Sequence, residues 1–121
     1  MNKAGKTDTD VIIVHAATND LRSSTPEKLA SEITNTLKSI QENNPTSKIA
    51  FSSIFRRQDK ELNAKATKVN KMLEEELMLN GFDVIDNKNI LFSNLATDGL
   101  HINQGGARKF AGNIINFIKY C

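Results

Sequence analysis

Asp98 and His101 stand three residues apart in the run Asp98-Gly99-Leu100-His101. That spacing suits a carboxylate that orients an imidazole. In acyl transfer a histidine takes the nucleophile's proton, a carboxylate fixes the ring's tautomer, and an amide donor stabilises the oxyanion. Asn19 is the candidate for that donor, in a second polar cluster with His15, Thr18 and Asp20. Thr18 and Asp20 are candidate substrate contacts, and Asp20 also suits a turn or cap that anchors its loop. A histidine in a polar loop before a helix often serves only as a cap or surface residue, so residue type alone leaves both roles open for His101. His15 follows an apolar run and reads as a satisfied, buried histidine beneath the site. His15, Asp20, Asp98 and His101 are all metal-ligand types, but no close spacing such as His-x-x-x-His is present, and no metal is expected. No Gly-rich phosphate loop follows the apolar run, which argues against a nucleotide, and no cofactor is expected.

Both clusters must be placed by the elements around them. Val11, Ile12, Ile13 and Val14 form an unbroken β-branched run, which predicts a strand buried on both faces, as in a parallel sheet. The polar cluster at its carboxyl end occupies the position where open α/β sheets bind ligands. Next comes a helix start: either Ser24 and Glu27 at capping-box spacing, or Thr25 as N-cap with Pro26 at the first helical position. Leu29, Ile33, Leu37 and Ile40 give one apolar stripe, and Asn43-Asn44-Pro45 ends the helix. Lys48 to Phe55 predicts a second strand and Arg56-Arg57-Gln58-Asp59 a solvated polar loop. Leu62, Ala66, Val69, Leu73 and Leu77 trace a second helix, with Glu74-Glu75-Glu76 on its wet face and Asn80-Gly81 at its end. Phe82 to Asp86 predicts a third strand. Residues 87–97 form a connection in which Ile90, Leu91, Phe92 and Leu95 pack as a short helical turn or loop. A last helix starts at Asn103 or Gln104, with Ala107, Phe110, Ala111, Ile114, Phe117 and Ile118 as its buried face. Strands alternate with helices, so the sheet should be parallel with right-handed crossovers and helices on both faces.

Length and composition set outer bounds. The 121 residues suffice for one domain with its own core. The division expected is a disordered lead-in over 1–9 and a domain over 10–121. Sixteen Lys and Arg against fourteen Asp and Glu leave a formal charge of +2, scattered rather than striped, so nucleic acid is not indicated. Cys121 is the lone cysteine, which rules out an internal disulfide and is compatible with a reducing compartment. No stretch is long and apolar enough for a membrane span or a secretory signal, so the expectation is a soluble chain, with a cytoplasmic setting slightly favoured.

Ala17-Thr18-Asn19-Asp20 resembles the Gly-x-Asn-Asp block of the SGNH (GDSL-like) hydrolase superfamily, and Asp98-Gly99-Leu100-His101-Ile102-Asn103 resembles its Asp-x-x-His block. The likeness runs over nearly the whole chain, from the strand before the first block to the Gly105-Gly106 helix start after the second. It implies a three-layer, flavodoxin-like α/β sandwich and hydrolysis of esters and related acyl groups, often lipid or carbohydrate esters. It also implies Asn19 as oxyanion-hole donor, His101 as general base and Asp98 as the carboxylate that orients it. Two departures stand out. The family's Gly-Asp-Ser nucleophile block and its glycine oxyanion block both precede the Gly-x-Asn-Asp block, and neither has a counterpart here. Ala17 also stands where the third block has glycine, which crowds the turn beside the oxyanion site.

The chain therefore reads as the carboxyl-terminal part of such a domain, with the amino-terminal strands missing. Ser23, Ser24, Ser52, Ser53 and Ser93 sit on no nucleophile-elbow turn and read as capping or packing residues. His101 and Asp98 without a serine can at most activate water. The expected function is an acyl ester hydrolase fragment, inactive or only weakly active alone; the alternative is a noncatalytic binding or interaction module derived from such a hydrolase. With its neighbouring strands missing, the Val11–Val14 strand would present an apolar edge. A homodimer, or an amino-terminal segment supplied in trans, would then cover it.

Overall fold

A computed structural model describes residues 10–15, 21–99 and 101–120. The lead-in over 1–9, the block Ala17 to Asp20 and Cys121 lie outside the described residues. Three strands, β1 (Val11–Val14), β2 (Lys48–Ser52) and β3 (Asp83–Ile85), pair in parallel in the order β1-β2-β3. Helices α1 (Pro26–Asn43), α2 (Lys60–Leu79) and α3 (Gln104–Lys119) follow them in turn, and a 3-10 turn spans Phe92–Asn94.

Local chemistry accounts for the boundaries. Of the two starts read for α1, Thr25 is the N-cap, its hydroxyl accepting from Lys28 N at 3.1 Å with Pro26 in the first turn. Asp59 caps α2 by accepting from Leu62 N, and Gly81 at φ +78° turns the chain out of it. Asn103 caps α3 by accepting from Gly106 N.

The sheet has two unlike faces. Parallel pairing sets Val14 beside Phe51 and Phe51 beside Val84, so these residues share a face. Together with Ile12 and Ile49 they meet the buried stripes of α1 (Leu29, Ile33, Leu37) and α2 (Ala66, Val69, Leu73, Leu77), which form the main core. Ser52 and Ile85 pair on the opposite face, and His15 at the end of β1 turns that way to meet α3 through Phe110. The molecule is thus a three-layer α/β sandwich, with α1 and α2 on one face and α3 on the other.

Four expectations need correction. The first strand is not buried on both faces: all its residues are only half-buried, and among the described residues β1 lies at the sheet edge, as the resemblance implied. Second, β2 stops at Ser52 rather than Phe55. Ser53 N still donates to Ile85 O, but at Ile54 the pairing partner changes to the Asn70 side chain. Ile54 N donates to Asn70 Oδ1 at 2.8 Å, and Asn70 Nδ2 donates to Ile54 O at 3.0 Å. An α2 side chain takes over the role of a neighbouring strand. Third, the 56–59 loop is not solvated throughout, since Arg57 is buried while Arg56 donates to Ile90 O and Lys88 O. Fourth, the apolar stripe of α3 is incompletely covered. Phe110, Ile114 and Phe117 are half-buried, Ala107, Ala111 and Ile118 are exposed, and Gly106 alone of the helix's described residues is buried.

Candidate active site

Asp98 and His101 occupy a loop closed by backbone bonds. Asn103 N donates to Asn94 O, Ala96 N to His101 O and Gly99 N to Ala96 O, at 2.8, 2.7 and 2.9 Å. An isolated antiparallel bridge pairs Leu95 with Ile102. Asn103 braces the base of the loop, its Nδ2 donating to Ser93 O and Leu95 O while its Oδ1 caps α3. The tip is tied down as well, because Gln58 N donates to Gly99 O at 3.1 Å. Gly99 is required there: its φ is +68°, and a Cβ would come within 2.8 Å of Gln58 Cβ.

Within this frame Asp98 holds His101 twice. Its Oδ1 accepts from His101 N at 3.0 Å, and its Oδ2 lies 2.6 Å from His101 Nδ1. A carboxylate at that distance keeps the proton on Nδ1 and leaves Nε2 with its lone pair available as a base. The side chains are 76% and 48% exposed, so solvent screens the pair and it adds about 1 kcal/mol or less to stability. Its effect is on orientation and tautomer. Asn19, Thr18 and Asp20 lie outside the described residues.

The serines have other tasks. Ser52 is 0% exposed, and its Oγ accepts from Asn87 Nδ2 at 2.8 Å and hydrogen-bonds His15 Nδ1 at 3.1 Å. Ser53 is also buried, with its Oγ accepting from Asn87 N. Both side chains are buried and hydrogen-bonded, so packing and hydrogen bonding describe both.

His15 departs from its expectation. The residue is exposed rather than buried, but its Nδ1 edge turns inward to Ser52 and its ring packs 4.4 Å from Phe55 and 5.2 Å from Phe110. Loss of water around the ring lowers its proton affinity below the ordinary histidine value, and this outweighs the opposing hydrogen bond to the Ser52 carbonyl. Among the described residues no group of three or more His, Cys, Asp and Glu side chains is arranged to hold a metal.

A buried asparagine with no motif around it to mark it, Asn87, joins these parts. Asn87 donates through Nδ2 to Ser52 Oγ and Ser53 O, and accepts through Oδ1 from Asn113 Nδ2 of α3. Lys109 adds bonds from α3 to Asn89 O and Asn94 Oδ1. The helix that follows the His101 loop is thereby fixed to the ends of β2 and β3. An Asn directly after a strand reads as a turn former, and only the partners brought in from β2 and α3 show it to be a hub.

Comparison with solved structures places this architecture. A GDSL-like lipase from Bacteroides thetaiotaomicron superposes with a TM-score of 0.77 at 16% identity, over 91% of this chain and 62% of that one. A member of the lipolytic protein G-D-S-L family from Veillonella parvula gives 0.72 at 17% identity, over 91% of this chain and 66% of that one. No family model and no curated protein matches the sequence. The shared fold is the one the sequence resemblance implies, and this chain spans less than two thirds of the length of either structure.

Proposed function

We propose that this chain carries the general-base half of an SGNH (GDSL-like) acyl ester hydrolase site. His101 is the base, Asp98 its orienting carboxylate and Asn19 the oxyanion donor, with Thr18 and Asp20 beside the substrate. The observation that carries this reading is the double hold of Asp98 on His101, which sets ring direction and tautomer together. The likeness of fold to two GDSL-type structures and the order of the two sequence blocks support it.

The reaction would begin with Nε2 of His101 taking a proton from the attacking hydroxyl. The oxyanion that forms on the ester carbonyl would be met by the Asn19 amide. With no Gly-Asp-Ser block in these 121 residues, the attacking group left to His101 is water. Nucleophile and base act as a unit, so alone the chain is inactive or only weakly active. Burial of Ser52 and Ser53 favours the second reading, a noncatalytic binding module that keeps the hydrolase frame. Hydrolysis of p-nitrophenyl acetate separates the two. Weak turnover that falls by about 10²-fold or more in His101→Ala, and also falls in Asn19→Ala, supports the hydrolase site. Equal rates for the chain and both variants would leave the binding module.

A further inference from the structure

Strand β2 ends at Ser52, β3 is only three residues long, and the backbone of Ile54 bonds Asn70 of α2 instead of a strand. Between α2 and the ends of these strands lies a cavity of about 260 Å³. Phe51, Ala66, Leu73 and Val84 give it an apolar wall, and Arg56, Glu74, Asp86 and Lys88 stand at its rim. The Asn70 amide and the Ile54 backbone satisfy each other, so neither needs a polar group from an occupant. An apolar cavity of about 150 Å³ holds benzene, and this one has room for a ring with a short substituent. An apolar wall with a few placed polar groups is the usual make-up of a small-molecule site. The cavity is on the α2 face of the sheet, and neither Asp98 nor His101 lines it.

The charges at the rim are unequally matched. Asp86 and Lys88 serve each other: Asp86 Oδ1 accepts from Lys88 N at 2.8 Å, and Oδ2 lies 3.4 Å from Lys88 Nζ. Glu74 is exposed on α2, where water solvates its carboxylate. Arg56 is half-buried, and among the described residues its guanidinium hydrogen-bonds only two carbonyl oxygens, from Nε to Ile90 O and from Nη2 to Lys88 O, both at 3.0 Å. No carboxylate of the described residues pairs with it. A guanidinium carries more N–H donors than these two bonds use, in a planar fork that matches a carboxylate. A cation stripped of part of its water gains more from an anion than one in open solvent.

We propose that this cavity binds a small organic carboxylate, its aromatic or aliphatic body against Leu73 and Val84 and its carboxylate on Arg56. The bonds to Ile90 O and Lys88 O hold the guanidinium in place before a ligand arrives, so binding costs little side-chain freedom. Lys88 adds a second positive charge at the mouth. A cationic ligand would meet Arg56 as a like charge, and a neutral one would leave the fork unused. The site rests on the fold and the cavity, independently of the hydrolase reading.

The test is a titration of the 121-residue chain with phenylacetate, followed by the chemical shifts of its backbone amides. The expected result is saturable binding with a Kd of about 1 mM and shifts at Ala66, Leu73 and Val84. Phenylacetamide, of the same shape without the charge, should bind at least about tenfold more weakly, and so should phenethylammonium. Arg56→Gln should weaken phenylacetate binding by about tenfold, while Lys71→Gln, on α2 but outside the cavity, should leave it unchanged. Should Arg56→Gln fail to fold, the three probes compared on the unaltered chain decide. Absence of saturable shifts up to about 10 mM, equal or greater affinity for the amide or the ammonium, shifts confined to the His101 loop, or a folded Arg56→Gln variant that binds as well as the parent would overturn the proposal.

Discussion

Replacing Asn87 by alanine tests whether the polar hub, rather than apolar contact, joins α3 to the sheet. The side chain makes three hydrogen bonds from a nearly fully buried position: to Ser52 Oγ and Ser53 O at 2.8 Å and from Asn113 Nδ2 at 2.9 Å. Two of these partners keep a second bond, Ser52 Oγ to His15 and Asn113 Nδ2 to Asn89 Oδ1. The Ser53 carbonyl loses its side-chain donor. Three bonds at roughly 1 kcal/mol net each, with part of the loss recovered by those second partners and part added by the carbonyl, predict about 2–4 kcal/mol. With a urea m-value of about 1.5 kcal/mol/M, the unfolding midpoint should fall by about 2 M. Asn87→Asp keeps the shape but sets a second acceptor against the Ser53 carbonyl and buries a charge. At pH 7 it should be less stable than the alanine variant, and it should recover in acid as its carboxyl gains a proton to donate. The assay is urea unfolding followed by far-ultraviolet circular dichroism. An alanine variant within about 0.5 kcal/mol of the parent, or an aspartate variant as stable as the parent at pH 7, would refute the reasoning.

Two further outcomes follow from single residues. Gly99→Ala adds crowding against Gln58 to a positive φ, whereas Gly81→Ala has a positive φ with nothing within 4 Å of the new methyl. The first should cost about 2–3 kcal/mol in urea unfolding and shift the His101 ring resonances; the second should cost about 1 kcal/mol and leave them in place. His15 binds protons less readily in the folded chain than at its ordinary value of 6.5, so the unfolded chain holds more protons in the interval between the two values. Stability should therefore fall as pH drops below about 6.5 and level off once pH passes the folded value. His15→Gln should reduce that slope in thermal melts taken across the interval, and an unchanged slope would assign it to other groups.

Alternation and punctuation in the chain determined most of the architecture. Val11–Val14, the Leu29-to-Leu37 and Leu62-to-Leu77 stripes, and the Thr25, Asn80 and Gly81 signals placed strands, helices and turns, because each depends on near neighbours in sequence. The Asp98–His101 pair was legible for the same reason: three residues of separation within one turn bring the two side chains together. Tertiary structure decided what depends on distant partners. Arg57 is buried and β2 ends early because α2 supplies Asn63 and Asn70 to the following backbone. Asn87 is a hub because β2 and α3 converge on it. The apolar character of β1 and α3 was plain in the sequence, and the resemblance implied an open β1 edge, but the incomplete burial of α3 was not legible. Hydrophobicity states what a surface favours, whereas the number of strands and helices packed around it determines how much of that surface is covered.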